Sequence, residues 1–433
     1  MNNLLALIAE RSLLGLAGLI TSLLVAFFLT PDAQDWYYVF VSLAKLSVLF
    51  DLGLSVVLVH IAASFASALK WGAGGALAGP SAPRFRAVVR QSAVIYLGLA
   101  VAYVTIMLPV GMMFFMNAPH ADSYTTYEWL APWTALVLAT AGGMLCIPFI
   151  ALIEGTGRVA EVSSVRLTYG LIGSLACWLL LAVGGQIWAV VMLPVATLLV
   201  GIYWLGVRCP VMLGEVYAAT EQDRFWKHSV WPLQWRFGVS WLCNYLLSQI
   251  YTPVLFYFSG AIVAGQMGLS LAITNLLALI AHAWVGRHAT AMTQAVLRKD
   301  WATLSLICRK DLFWSTGFFL FGAATLCVAH ELLARSNYGQ RMLPFWPFVG
   351  LLAVALSSHL LGVFAAQLRA YQKEPLMWIL IAGAALTAPL ATWAASRYQA
   401  VGVVATVLVI QVTFTLPAAI VVWRRFNWVR QSD

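Results

Sequence analysis

Asp51 and Lys45 are charged side chains lodged inside one long apolar run, with His60 further along it. A charge at membrane depth costs about 2.5 kcal/mol or more on insertion scales, so such a residue faces a cavity or a partner. A carboxylate so placed can take up and release a coupling ion, which makes Asp51 a coupling candidate, and Lys45 is a candidate contact for substrate. On an ideal helix the two stand about 120° apart. A direct pair therefore needs a kink, and Phe50-Asp51-Leu52-Gly53-Leu54-Ser55 is the stretch at which one is expected. Without a pair, Lys45 snorkels and Asp51 caps the lower half-helix.

A second set is uncharged. Ser240, Asn244, Ser248 and Tyr251 recur at helical spacing, and Gln266, Ser270, Thr274 and His282 follow the same period with Asn275 beside them. Two such stripes on neighbouring helices can line a water-filled, sugar-sized cavity. Asn244, Ser248, Tyr251, Gln266, Ser270 and Asn275 are accordingly candidate substrate contacts. The competing role is helix-to-helix hydrogen bonding, worth about 0.6–2 kcal/mol per bond. His359, after Ser357-Ser358, is a second coupling candidate as a proton relay, against its being a satisfied core histidine.

No catalytic constellation accompanies these groups. The sequence lacks a G-x-x-x-x-G-K-[ST] loop for nucleotide and a large outer loop with paired carboxylates. Its six cysteines (Cys146, Cys177, Cys209, Cys243, Cys308 and Cys327) show neither C-x-x-C nor metal-ligand spacing. No disulfide, metal or cofactor is expected, and a transporter rather than an enzyme.

The elements that must position these residues are membrane helices. Of the 433 residues 62% are hydrophobic and only 9% charged, far less polar surface than a water-soluble chain of this length needs. Apolar runs long enough to cross a hydrocarbon core of about 30 Å follow one another. The expected spans are 12–30, 36–67, 91–116, 129–153, 166–184, 186–206, 237–259, 262–285, 312–329, 343–367, 376–395 and 401–423, an all-α polytopic membrane protein of about twelve transmembrane helices. Arg11 precedes a full-length first span without a cleavage site, so that helix is expected to act as its own insertion signal.

Positive charge sets the orientation. Of the 25 Lys and Arg, only Arg335, Arg341 and Arg397 fall on one side of this layout, and Lys45 falls within a span. All the others fall on the opposite side, which the positive-inside rule makes the cytoplasm, so both termini are expected there. The net charge of +9 is thus a product of topology and argues against nucleic-acid binding. Anionic inner-leaflet lipid is the partner those loops meet. Many of the 19 Trp and 15 Tyr sit near span ends, as in Trp36-Tyr37-Tyr38, and form an interfacial belt.

The polar break from Val207 to Arg236 divides the chain into two lobes of six spans each: residues 1–206, a cytoplasmic connection 207–236, and residues 237–433. Arg11 and Arg236 stand at the cytoplasmic starts of corresponding helices, where a guanidinium can hold phosphate oxygens in bidentate fashion. Both are candidate substrate contacts, and both are also accounted for as positive-inside anchors.

Phe50-Asp51-Leu52-Gly53-Leu54-Ser55, the loop Ile153-Glu154-Gly155-Thr156-Gly157-Arg158-Val159-Ala160-Glu161-Val162, and Gly265-Gln266-Met267-Gly268-Leu269-Ser270-Leu271 resemble the polysaccharide-transport, O-antigen flippase-like proteins. These belong to the multidrug/oligosaccharidyl-lipid/polysaccharide exporter superfamily, which also holds MATE antiporters and the lipid II flippase. The resemblance implies a MATE-like, V-shaped bundle in the bacterial inner membrane. It implies alternating access that carries an undecaprenyl-diphosphate-linked oligosaccharide outwards, with polysaccharide polymerase and glycosyltransferase as possible partners. The chain departs from the better-known flippases in having Lys45 as its sole cation inside a span. The alternatives are a MATE-like cation-coupled antiporter of small amphiphiles, with Asp51 as its carboxylate, and a membrane glycosyltransferase or polymerase.

Overall fold

The computed structural model describes residues 2–51, 53–66, 68–117, 125–218, 238–239, 242–243, 246–247, 250–286, 288, 292, 295–296, 298–333, 339–369 and 376–429. The described chain is almost wholly helical. It opens with α1 (Asn2–Phe28) and α2 (Pro31–Ala44). The start of α2 is written locally: the Thr30 hydroxyl accepts from the Ala33 amide, Pro31 occupies the first turn, and Asp32 adds an acid at the positive end of the dipole.

The second expected span is broken. After α3 (Ser47–Asp51), Gly53 takes φ 71°, a left-handed conformation that glycine adopts at little cost, and α4 (Leu54–Phe65) leaves at 45° to the preceding segment. A small hairpin follows, with Lys70 paired to Ala78 and Trp71 to Leu77. Then come α5 (Ala82–Asn117), α6 (Thr126–Met144), α7 (Ile147–Gly155), α8 (Val159–Ala182), α9 (Met192–Arg208) and the short α10 (Pro210–Ala218). A reciprocal capping box, Thr125 with Glu128, starts α6. Between α8 and α9, Gly184 turns the chain at φ 83° into a 3₁₀ segment, Gln186–Val191.

The remaining elements are α11 (Tyr251–Ser259), α12 (Ala261–Gly286), α13 (Trp301–Leu333), α14 (Phe345–Arg369), α15 (Met377–Ile410), a π-turn at Gln411–Thr415 and α16 (Leu416–Val429). Gln399, at φ 51° and ψ −142°, breaks α15 into two helical segments, matching the expected eleventh and twelfth spans. Among the described residues eight helices are long and apolar enough to cross a membrane, and a ninth span arises if the bent pair counts as one. The apolar Leu13–Phe28 and the break at Gln399 bring this to eleven, which is consistent with twelve once the seventh expected span is added. The seventh expected span lies largely outside the described residues.

The chain forms two compact units, Met1–Ala33 with Phe40–Leu242, and Gln34–Val39 with Cys243–Asp433. In the first, α8 packs along α1, with the Trp178 indole donating to the Thr21 hydroxyl at 2.8 Å. An aromatic core of Phe40, Phe115 and Trp133, with ring centroids 5.1–5.5 Å apart, ties α2, α5 and α6 together. Gly111 makes that core possible, because a Cβ there would stand 2.2 Å from the Trp133 ring. In the second unit α12 is central and packs against α11, α13 and α14.

Candidate functional site

The second unit encloses a cavity of about 420 Å³. Its walls are mostly aliphatic, from α12, α14 and α15, among them Leu271, Leu351, Val354, Ile379 and Leu380. Tyr251, Thr274, Asn275, His282, Ser358, Gln411 and Thr415 supply its polar lining. Asn275 and Ser358 are exposed, whereas Tyr251, Thr274, Gln411 and Thr415 are buried, so the lining runs from an open rim into the unit. Among the described residues that line it, none is Asp, Glu, Lys or Arg.

The expected stripe on α12 divides between two tasks. Thr274, Asn275 and His282 line the cavity, as does Tyr251, whose hydroxyl donates to the Leu247 carbonyl. Gln266 and Ser270 instead hold the turn at 339–343. The Gln266 amide donates to the Gln340 carbonyl at 2.8 Å, and the Ser270 hydroxyl accepts from the Leu343 amide at 3.1 Å. The same turn is held by Gln34, which donates to the Arg341 carbonyl, and by His330, 2.9 Å from the Leu343 carbonyl. In this structure Gln266 and Ser270 therefore do helix-to-loop bonding. Asn244 and Ser248 lie outside the described residues.

His359 is buried behind the rim. Its Nε2 is 3.2 Å from Ser315 Oγ, its ring stacks on Phe319, and the His282 ring meets it edge-on at 5.7 Å. Its Nδ1 has no hydrogen-bond partner. Gly362 gives His282 its place, since a Cβ there would stand 2.8 Å from that ring.

Gln411, Thr415 and Ser358 were invisible to sequence periodicity. Gln411 donates its amide to Ser358 Oγ at 3.2 Å, while its carbonyl oxygen and the Thr415 hydroxyl, both buried, lack partners within the protein. The one signal for them is that Gln411 is the sole amide in the expected span 401–423.

In the first unit Asp51 does not cap α4, which starts from Gly53 without a side-chain cap. Its carboxylate accepts from the hydroxyls of Ser55, at 2.8 Å, and Tyr96. The half-buried carboxylate at the helix break is thus hydrogen-bonded by two neutral donors. Lys45 ends α2, with its amide bonded to the Val41 carbonyl at 3.1 Å. The side chain of Arg11, and Arg236 altogether, lie outside the described residues.

The Glu154-Gly-Thr-Gly-Arg158 loop has a structural use. Arg166 grips Glu154 with both guanidinium nitrogens, at 3.1 and 2.6 Å, while Arg158 pairs with Glu161 and lies over the Trp71 ring at 4.8 Å. Beside them Cys209 is buried, which pushes its thiol pKa up.

No family profile and no curated protein matches the sequence. Solved structures do. An inward-facing multidrug resistance MATE family transporter of the MOP superfamily aligns over 96% of this chain and 94% of its own, with TM-score 0.67 and 14% identity. The lipid II flippase MurJ, in an inward closed conformation, aligns over 98% and 87% with TM-score 0.62 and 13% identity. The eukaryotic MATE transporter AtDTX14 aligns over 99% and 96% with TM-score 0.62 and 12% identity. Across nearly its whole length, therefore, this chain has the all-helical fold of the MOP-superfamily membrane transporters.

Proposed function

We infer that this protein is a flippase/exporter that moves an undecaprenyl-diphosphate-linked oligosaccharide, the repeat unit of an O-antigen or exopolysaccharide, across the bacterial inner membrane by alternating access. The fold supports transport. The observation that carries the cargo is the cavity of the second unit, whose amide and hydroxyl lining suits sugar hydroxyls better than a charged drug. On this reading the termini are cytoplasmic, the basic loops rest on anionic lipid, and glycosyltransferases and a polymerase work beside the protein.

Proteoliposomes with fluorescent lipid-linked oligosaccharide in the inner leaflet test it. The protein should expose the sugar to external periodate well above the rate of protein-free vesicles. An unchanged rate, with a cationic amphiphile transported instead, overturns the reading.

One observation favours the second reading, a cation-coupled antiporter. Asp51 is a carboxylate held by two hydroxyls within the first unit, the arrangement an ion-coupling site needs. Cargo separates the two, since an antiporter accumulates a cationic amphiphile against a proton or sodium gradient and leaves lipid-linked oligosaccharide in its leaflet.

A further inference from the structure

We propose that the cavity of the second unit is a recognition site for an uncharged, hydroxyl-rich group, about one or two sugar rings in size, with the π-turn at Gln411–Thr415 as its reading element. The assignment rests on the flippase reading in one respect, that the group belongs to the cargo, and it narrows that cargo to glycans without uronate, sialate or phosphate in the bound portion.

Among the described lining residues His282 and Tyr251 are the titratable ones, and no fixed charge faces the space. A carboxylate or ammonium entering it would surrender its hydration without a countercharge, the costliest exchange available at this depth. A sugar ring gives up neutral hydrogen bonds and finds neutral ones.

Gln411 is 2% exposed and Thr415 1% exposed, and the Gln411 carbonyl oxygen and the Thr415 hydroxyl have no partner within the protein. One hydrogen of the Gln411 amide is committed to Ser358. What remains is the Gln411 carbonyl oxygen as an acceptor and the Thr415 hydroxyl, which both donates and accepts, and alcohols, themselves donors and acceptors, satisfy both without bringing charge.

A π-turn is a rare, locally widened stretch of helix that occurs frequently at functional sites. Here it places Gln411 and Thr415 on the cavity wall together. Gly383, on the facing helix, leaves room for the Thr415 hydroxyl, because a Cβ there would stand 3.0 Å from it.

The rim continues the pattern with Asn275 and Ser358, and the aliphatic remainder of the wall suits the apolar faces of a pyranose ring.

Saturation-transfer NMR on the full chain in nanodiscs tests this with three probes: an alkyl glycoside with a neutral disaccharide head, its uronic acid counterpart, and the headless alkanol. The neutral glycoside should bind at least about tenfold more tightly than the uronate, the loss expected when a charge enters an uncharged site. Gln411→Leu and Thr415→Val should each weaken it several-fold. Should Gln411→Leu fold poorly, Asn275→Leu at the exposed rim probes the same site and should also weaken neutral-head binding. Equal or tighter binding of the uronate, equal binding of the alkanol, or neutral-head affinity untouched in the folded variants overturns the assignment. Periodate protection in proteoliposomes separates it from the transport reading. Glycan flipping that persists in Gln411→Leu, with binding unchanged, removes the site and keeps the flippase. Neutral-head binding that tracks Gln411, without flipping by the wild type, keeps the site and removes the flippase.

Discussion

Tyr96 donates its hydroxyl to Asp51 across the helix break at Gly53, and Ser55 donates to the same carboxylate from the first turn of the next helix. The bond joins α5 to the end of α3, so the acid is both a polar group at depth and a tie across the weakest point of its own span. These two roles respond differently to substitution.

Tyr96→Phe removes one donor and keeps the charge. A hydrogen bond to a charged group is worth about 1.5–3 kcal/mol, and a destabilisation of that order is expected in denaturant unfolding in detergent. Asp51→Asn keeps only one of the two acceptor oxygens that Tyr96 and Ser55 use separately, so one hydroxyl must turn to accept from the new amide and a cost of similar order is expected. If Asp51 couples an ion, Asp51→Asn instead abolishes gradient-driven transport with abundance near normal. Transport at the wild-type level in Asp51→Asn leaves the acid a purely structural clamp.

Gly155 sets the approach of α4 to α7. A Cβ at this position would lie 2.3 Å from the Val59 carbonyl oxygen and 2.6 Å from the Ala62 Cβ, and backbone cannot yield as a side chain does. Gly155→Ala should therefore cost about 1–3 kcal/mol by overpacking. Gly98 meets nothing within 4 Å, so Gly98→Ala should be stabilising or neutral. Unfolding curves of the two variants that coincide contradict this packing.

Arg166 holds Glu154 with two nitrogens, a fork that lysine cannot reproduce. Arg166→Lys keeps the positive charge, so insertion should be normal, while stability falls by about 1–2 kcal/mol as one charge-assisted bond is lost. Arg166→Gln should cost more, because it leaves Glu154 unpaired, and adding Glu154→Gln should recover part of that loss.

The spans were legible because apolar length and basic loops are properties of consecutive residues. So was the break at Gly53, where an acid, a glycine and a serine interrupt an apolar run. The cavity was legible only in part. Thr274, Asn275, His282 and Tyr251 fall on helical stripes, but Ser358, Gln411 and Thr415 come from two other helices, and only the fold assembles them. Periodicity also cannot tell a stripe residue facing a cavity from one facing a turn. Gln266 and Ser270 share the spacing of Thr274, yet bond to Gln340 and Leu343. Tyr96 was missed because its partner lies 45 residues away in sequence.

The last prediction concerns the sidedness of the first unit, and two contacts carry it. Arg158, between α7 and α8, lies over Trp71 of the hairpin between α4 and α5. Gly75 of that hairpin sits so close to Cys209, after α9, that a Cβ would stand 2.9 Å from the Cys209 Cα. Three connections that touch must emerge on one face of the membrane, and they carry Lys70, Arg84, Arg86, Arg158 and Arg208 with them or beside them. The positive-inside rule makes that face the cytoplasm. Reporter fusions after residues 80 and 220 should therefore both report cytoplasm, as should one after 295, while those after 122, 185 and 337 report the outer side. A split result at 80 and 220 would contradict the packing of the hairpin itself. Agreement between them on the outer side would spare the packing and reverse the orientation, because the contacts fix only which loops share a face and the charge alone decides which face it is.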